Sequence, residues 1–133
     1  MTTVHEALIY TMILVSGSDR EMTDAELRRI GDLTAHLPVF RRYDRRRLIA
    51  SARKCAALLQ RKNGMTEVLR AVRAGTPKRL AETAYALAWE IALVDERRGR
   101  EEQRMIALIR DALRLDGLIA AAIERGVRAR FTA

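Results

Sequence analysis

An aspartate followed by a glutamate seven residues later occurs twice in this chain, as Asp19 with Glu26 and as Asp95 with Glu102, at an offset of 76 residues. At that same offset Val15 falls on Ile91, Ile30 on Ile106, Leu33 on Ile109 and Leu37 on Leu113, and Arg28 falls on Arg104. A register shared by loop acid and apolar stripe predicts two copies of one helix, acidic loop, helix hairpin closed around a common core. The expected fold class is all-α, a single-domain bundle of about seven helices with an internal pseudo-twofold repeat. Repeat 1 covers about 4–38, basic connecting helices about 39–75, repeat 2 about 76–115, and a terminal helix about 117–130.

The local signals set the elements within that frame. Leu8, Met12 and Val15 make one apolar stripe of a helix over Val4 to Ser16, widened by Ile9, Ile13 and Leu14 and stopped by Gly17 and Ser18. Thr23-Asp24-Ala25-Glu26 is a capping box, in which hydroxyl and carboxylate satisfy each other's backbone N–H groups. It opens a second helix with Leu27, Ile30, Leu33 and Leu37 on the buried face and Pro38 as its end. Asp44 is placed to cap a helix over Arg45 to Arg61, with Leu48, Ile49, Ala52, Ala56 and Leu59 inward and Asn63-Gly64 as the stop. A shorter helix, Thr66 to Ala74, buries Val68, Leu69 and Val72. Thr76-Pro77 reads as an N-cap hydroxyl with proline in the first helical position. The helix after it lines up Leu80, Ala84, Leu87, Ile91 and Val94, with Tyr85 and Trp89 adjoining as packing residues. Glu101 to Leu115 carries Met105, Ile106, Ile109 and Leu113, and the last helix, Gly117 to Arg128, carries Leu118, Ala122 and Ile123.

Composition excludes several classes. With 49% hydrophobic residues the chain can fill a core, which argues against disorder. Cys55 is the one cysteine, so no intramolecular disulfide can form and a free core thiol is expected. The apolar run from Ala7 to Val15 falls well short of the roughly 20 residues that span a bilayer, and no Lys or Arg precedes it. The expected location is cytoplasmic. Charge is unevenly spread: between Val39 and Arg79 thirteen Lys and Arg face Asp44 and Glu67, a local net of +11, which leaves −3 for the rest of a chain whose total is +8.

The segment VSGSDREMTDAELRRI, Val15 to Ile30, resembles the signature of the tellurite-resistance TerB family: an apolar helix ending in Asp, a short turn, then an acidic helix start. ALVDERRGREEQRMIALI, Ala92 to Ile109, is similar to it, and the resemblance extends over essentially the whole chain. It implies a seven-helix bundle and a non-catalytic role in tellurite resistance or metal-linked stress response, as an adaptor or sensor with a protein partner, including membrane-associated ones. TerB-like loops generally place Gly directly after the Asp, where this chain has Arg20 and Glu96. The second loop also carries Arg97, Arg98 and Arg100, which moves the expectation of a metal site to the first loop.

Three kinds of site follow from the residues. A divalent cation such as calcium needs several converging oxygens, and Asp19, Glu21, Asp24 and Glu26 supply them, joined by Asp95, Glu101 and Glu102. Ile30 stands twelfth from Asp19, so the loop is no EF-hand. The competing reading gives Glu26 to the capping box, with Asp24 and Glu101 as favourable charges at helix starts. An anion-binding patch, for nucleic acid or acidic lipid, is offered by Arg41, Arg42, Arg45, Arg46, Arg47, Arg53 and Lys54, extended by Arg61 and Lys62. It comes without any recognisable nucleic-acid motif, and its competing reading is a solvated helix face. Catalysis has little to stand on: His5 and His36 are the only histidines, and neither is spaced from Cys55 as a base from a nucleophile. The chain is therefore expected not to be an enzyme.

Overall fold

A helix that is apolar on every side must be enclosed by others, and the chain has two of them. The computed structural model describes residues 2–17, 23–94 and 100–133. In it α1 (Val4–Gly17) is buried continuously from Ala7 to Ser16, and α5 (Ala81–Val94) is buried at Ala84, Tyr85 and every position from Leu87 to Ala92. These two pack against each other at the centre. Around them lie α2 (Asp24–His36), α3 (Leu48–Leu59), α4 (Gly64–Gly75), α6 (Arg100–Leu113) and α7 (Gly117–Arg130), joined in places by 3-10 turns at Pro38–Phe40, Arg45–Arg47 and Lys78–Leu80. α1 meets α3, α4 and α6, while α5 meets α2, α6 and α7. The described residues thus form an all-helical domain of seven α-helices, and no helix among them is long and apolar enough to cross a membrane.

The two buried hydroxyls of α1 are satisfied within their own helix. The Thr11 hydroxyl donates to the Ala7 carbonyl at 2.8 Å and the Ser16 hydroxyl to that of Ile13 at 3.3 Å. α1 can therefore carry both through the core without orphaned donors.

The outer helices bury one face each, and for several that face differs from the expected one. In α2, Ile30 and Leu33 are buried and Leu37 half-buried, but Leu27 is 46% exposed. In α3 the inward residues are Ser51 and Cys55, with Leu48, Ala52, Leu58 and Leu59 half-buried, while Ile49 and Ala56 face outward. In α7 Ala120 and Val127 are buried with Ile123 partly so, whereas Leu118 and Ala122 are exposed. α4 and α6 keep the expected faces: Val68 and Val72 in one, Met105, Ile106 and Ile109 in the other.

Three terminators also change roles. Asp44 accepts from the Arg46 backbone N–H at 3.0 Å, yet it caps a 3-10 turn that precedes α3, and α3 itself starts at Leu48. Asn63 adopts a left-handed φ of 63° and Gly64 opens α4, so the expected stop is also the next start. Thr76 is the C-cap of α4, and Pro77, not Thr76, holds the N-cap position of the turn into α5. A further cap closes the other end: the Asp116 carboxylate accepts from Leu118 N at 3.2 Å and from Ile119 N at 3.4 Å to start α7.

Candidate functional site

The two acidic segments precede α2 and α6, and what is described of them is their helical side. Asp19, Glu21 and Asp95 lie outside the described residues, as does the side chain of Glu101. Asp24 is exposed in the first turn of α2. Glu26 is fully buried, and its Oε1 accepts from the Thr23 backbone N–H at 2.9 Å and from the Thr23 hydroxyl at 3.0 Å. The reverse bond, Glu26 N–H to Thr23 Oγ1 at 3.1 Å, completes the capping box. The predicted capping role is therefore present. Glu102, one turn into α6, is also buried at 8% exposure. Among the described residues no three His, Cys, Asp or Glu side chains gather closely enough to hold a metal ion.

Removing the Thr23 hydroxyl takes a partner from a fully buried carboxylate. A Thr23→Ala variant should lose about 1–2 kcal/mol of stability, the upper part of the usual N-cap range. A chemical denaturation midpoint unchanged from the parent would show that the box contributes nothing.

The basic run is a surface. Arg41, Arg42, Arg45, Arg46, Arg47, Arg53 and Lys54 are all exposed, as are Arg61 and Lys62. Among the described residues, carboxylates pair with Arg46 (Asp44, 3.0 Å), Lys54 (Glu6, 3.3 Å) and Arg61 (Glu67, 3.4 Å). The Arg46 side chain beside Asp44 holds that carboxyl below its usual range. Tyr43 is not available to stack on a base, because it packs against Phe40 at 5.7 Å and His5 at 5.1 Å between ring centroids.

The nucleophile and base candidates each sit in local contacts of their own. His5 Nε2 lies 2.9 Å from the Val39 carbonyl and its ring stacks on Phe40, while His36 Nδ1 lies 2.9 Å from the Asp32 carbonyl at the end of α2. Cys55 is free and fully buried, and burial pushes its thiol up to about 12. At pH 8 only about one thiol in ten thousand would be ionised. A disulfide reagent should therefore leave Cys55 unmodified in the native protein and titrate one thiol per chain once guanidinium has unfolded it. Rapid native labelling would contradict that burial.

Sequence reasoning missed one charged site altogether. Glu90 sits in the middle of α5 at 5% exposure and is ion-paired with Arg130 of α7, with Arg29 of α2 at 4.0 Å. Beside it Arg128 lies over the Trp89 ring at 4.7 Å from the centroid and Arg29 over the Phe131 ring at 5.4 Å. The one available signal was Glu90 itself, the glutamate in the middle of AETAYALAWEIALV and away from its first turn, in a helix apolar enough that a charge there must find a partner.

No curated protein and no solved structure shows significant similarity to this chain. A family model does: the one described as Tellurite resistance protein TerB matches residues 5–124, from the first turn of α1 into α7. With nearly the whole bundle inside that match, the chain belongs to the TerB tellurite-resistance family.

Proposed function

We propose that this chain works without catalysis in tellurite resistance and stress response, as an adaptor or sensor that engages a protein partner. The observation that carries the reading is the extent of the family match, which takes in both acidic segments and the central helix pair together. The histidine and cysteine environments support it: a thiol pushed up to about 12 in the core is a poor nucleophile, and both imidazoles lie against backbone carbonyls. The test is complementation. Introduced into a bacterium whose own TerB has been deleted, the chain should restore growth on tellurite, and so should a folded His5→Gln, His36→Gln, Cys55→Ala variant. No rescue by the parent chain would remove the assignment, and loss of rescue in the folded variant would remove its non-catalytic part.

The finer form of this reading is a duplicated hairpin with divalent-cation binding at its acidic segments, through Asp19, Glu21, Asp24, Glu26, Asp95 and Glu102. What favours it is that residues 76 apart share their burial: Glu26 with Glu102, Ile30 with Ile106, and Val15 with Ile91 are all buried. Titration calorimetry with calcium at millimolar concentration gives saturable heat on this reading, and a flat trace ends it. The alternative, a basic adaptor docking on nucleic acid or anionic lipid, is favoured by the exposure of the whole Arg41 to Lys54 set. It would give a mobility shift or vesicle binding that is lost as salt is raised.

A further inference from the structure

A cavity of about 400 Å³ opens where the C-terminal ends of α4 and α6 meet the start of α5. Its wall carries Arg73 from the last turn of α4, Lys78 from the turn into α5, and Arg114 from just past α6. No carboxylate is among its lining residues that are described. Thr76 lines the same cavity, and its hydroxyl is buried with no hydrogen-bond partner among the described groups. Carbonyls at the ends of α4 and α6 each amount to roughly half a negative charge, so three full cations leave the cavity strongly positive.

Arg114 adds an independent observation. It adopts a left-handed φ of 54° at the position after α6, where its N–H donates to the Asp111 carbonyl at 3.1 Å and the Leu115 N–H to the Arg110 carbonyl at 3.2 Å. That bond pattern is the helix-ending motif in which glycine is favoured, because a side chain in the left-handed region costs about 1 kcal/mol or more. The chain carries a strained arginine there, and that arginine lines the cavity. Strain retained at a position where glycine would relieve it is a mark of use.

We propose that this cavity is an anion site for a phosphoryl group, carried by a small phosphorylated metabolite or by inorganic phosphate, with Arg73, Lys78 and Arg114 as its cationic contacts and Thr76 as a neutral donor. The volume falls within the range of small-molecule sites, and arginine's planar fork matches phosphate oxygens two at a time. The site is separate from the adaptor reading and stands or falls without it.

The test uses the whole chain, ¹⁵N-labelled, titrated with inorganic phosphate at constant ionic strength. Saturable shifts should appear at the amides of Thr76, Lys78 and Arg114. Arg114→Gly is the decisive variant: it removes the cation while relieving the left-handed strain, so its melting temperature without ligand should equal or exceed the parent's while phosphate affinity falls about tenfold. Arg125→Gln, on the exposed side of α7 and outside both the cavity and the basic run, should bind phosphate as the parent does. Unchanged affinity in Arg114→Gly, an equal loss in Arg125→Gln, or shifts spread over the basic surface would each overturn the site. A last arm presents vesicles containing phosphatidic acid. Binding to these with no response to inorganic phosphate would assign the cations to a lipid surface and overturn the small-ligand cavity.

Discussion

A Gly64→Ala variant is expected to lose at least ~3 kcal/mol of folding stability, more than any cap or surface substitution in the chain. A β-carbon at position 64 would overlap the Leu58 carbonyl oxygen and lie 2.8 Å from that of Leu59. Both are backbone atoms, and the Leu58 carbonyl is fixed by accepting from the Arg61 N–H at 3.1 Å. Nothing at the contact can swing aside as a flexible side-chain end would. The methyl group can be admitted only by opening the turn between α3 and α4, which would draw Cys55, Val68 and Val72 out of register with α1. Gly126→Ala is the matched control, since a β-carbon there meets nothing within 4 Å. In the middle of α7 it should stabilise by about 0.5–1 kcal/mol, because alanine loses less backbone entropy in a helix. Urea midpoints for the two variants should move in opposite directions. A loss below about 1 kcal/mol at Gly64 would mean that the turn relaxes far more easily than its backbone contacts imply.

Those two glycines illustrate what the sequence could and could not convey. Asn63-Gly64 was legible as a helix end because turn chemistry is local. That the same glycine begins the next helix, pressed against the last carbonyls of α3, depends on how the two helices fold back on one another. Helix existence was legible throughout for the same reason, and so was the Thr23–Glu26 capping box, all of whose bonds lie within four residues. Rotation of the outer helices was harder to read. In α3, LIASARKCAALL places small or apolar residues almost all round, so periodicity does not single out one face. The core took the side with Ser51 and Cys55 and left Ile49 in solvent. α7 is rich in alanine, and its buried line through Ala120, Ile123 and Val127 was outweighed in the sequence by the larger Leu118. Glu102 was singled out through its offset from Glu26, a pattern the chain displays in one dimension, and the structure shows it buried as Glu26 is. The cavity at Arg73, Lys78 and Arg114 joins three separate element ends, and nothing in their sequence spacing announces it.

The Glu90 ion pair is equally non-local, spanning 40 residues, and it supports the second large prediction. Its two partners are not equivalent. The Glu90 side chain is 6% exposed, whereas Arg130 is 64% and Arg29 is 36% exposed. Removing the glutamate's charge leaves two arginines that can turn to water. Removing Arg130 leaves a carboxylate in the core with Arg29, at 4.0 Å, as its one remaining cation among the described residues. Breaking a buried pair from the side that strands the other charge costs about 3–5 kcal/mol, and the exposure of Arg130 discounts this because solvent already screens part of the pair. Arg130→Ala should therefore cost about 2 kcal/mol and Glu90→Gln about half as much, with a double variant no worse than Arg130→Ala alone. Equal losses from the two single variants would show that packing of α7, and not the stranded carboxylate, sets the cost. The consequence reaches the family comparison, because Arg128, Arg130 and Phe131 lie beyond the matched residues 5–124. The end of α7 is thus clamped onto α5 and α2 by groups outside the shared unit, and hydrogen exchange in Arg130→Ala should quicken at 125–131 before it does at α1.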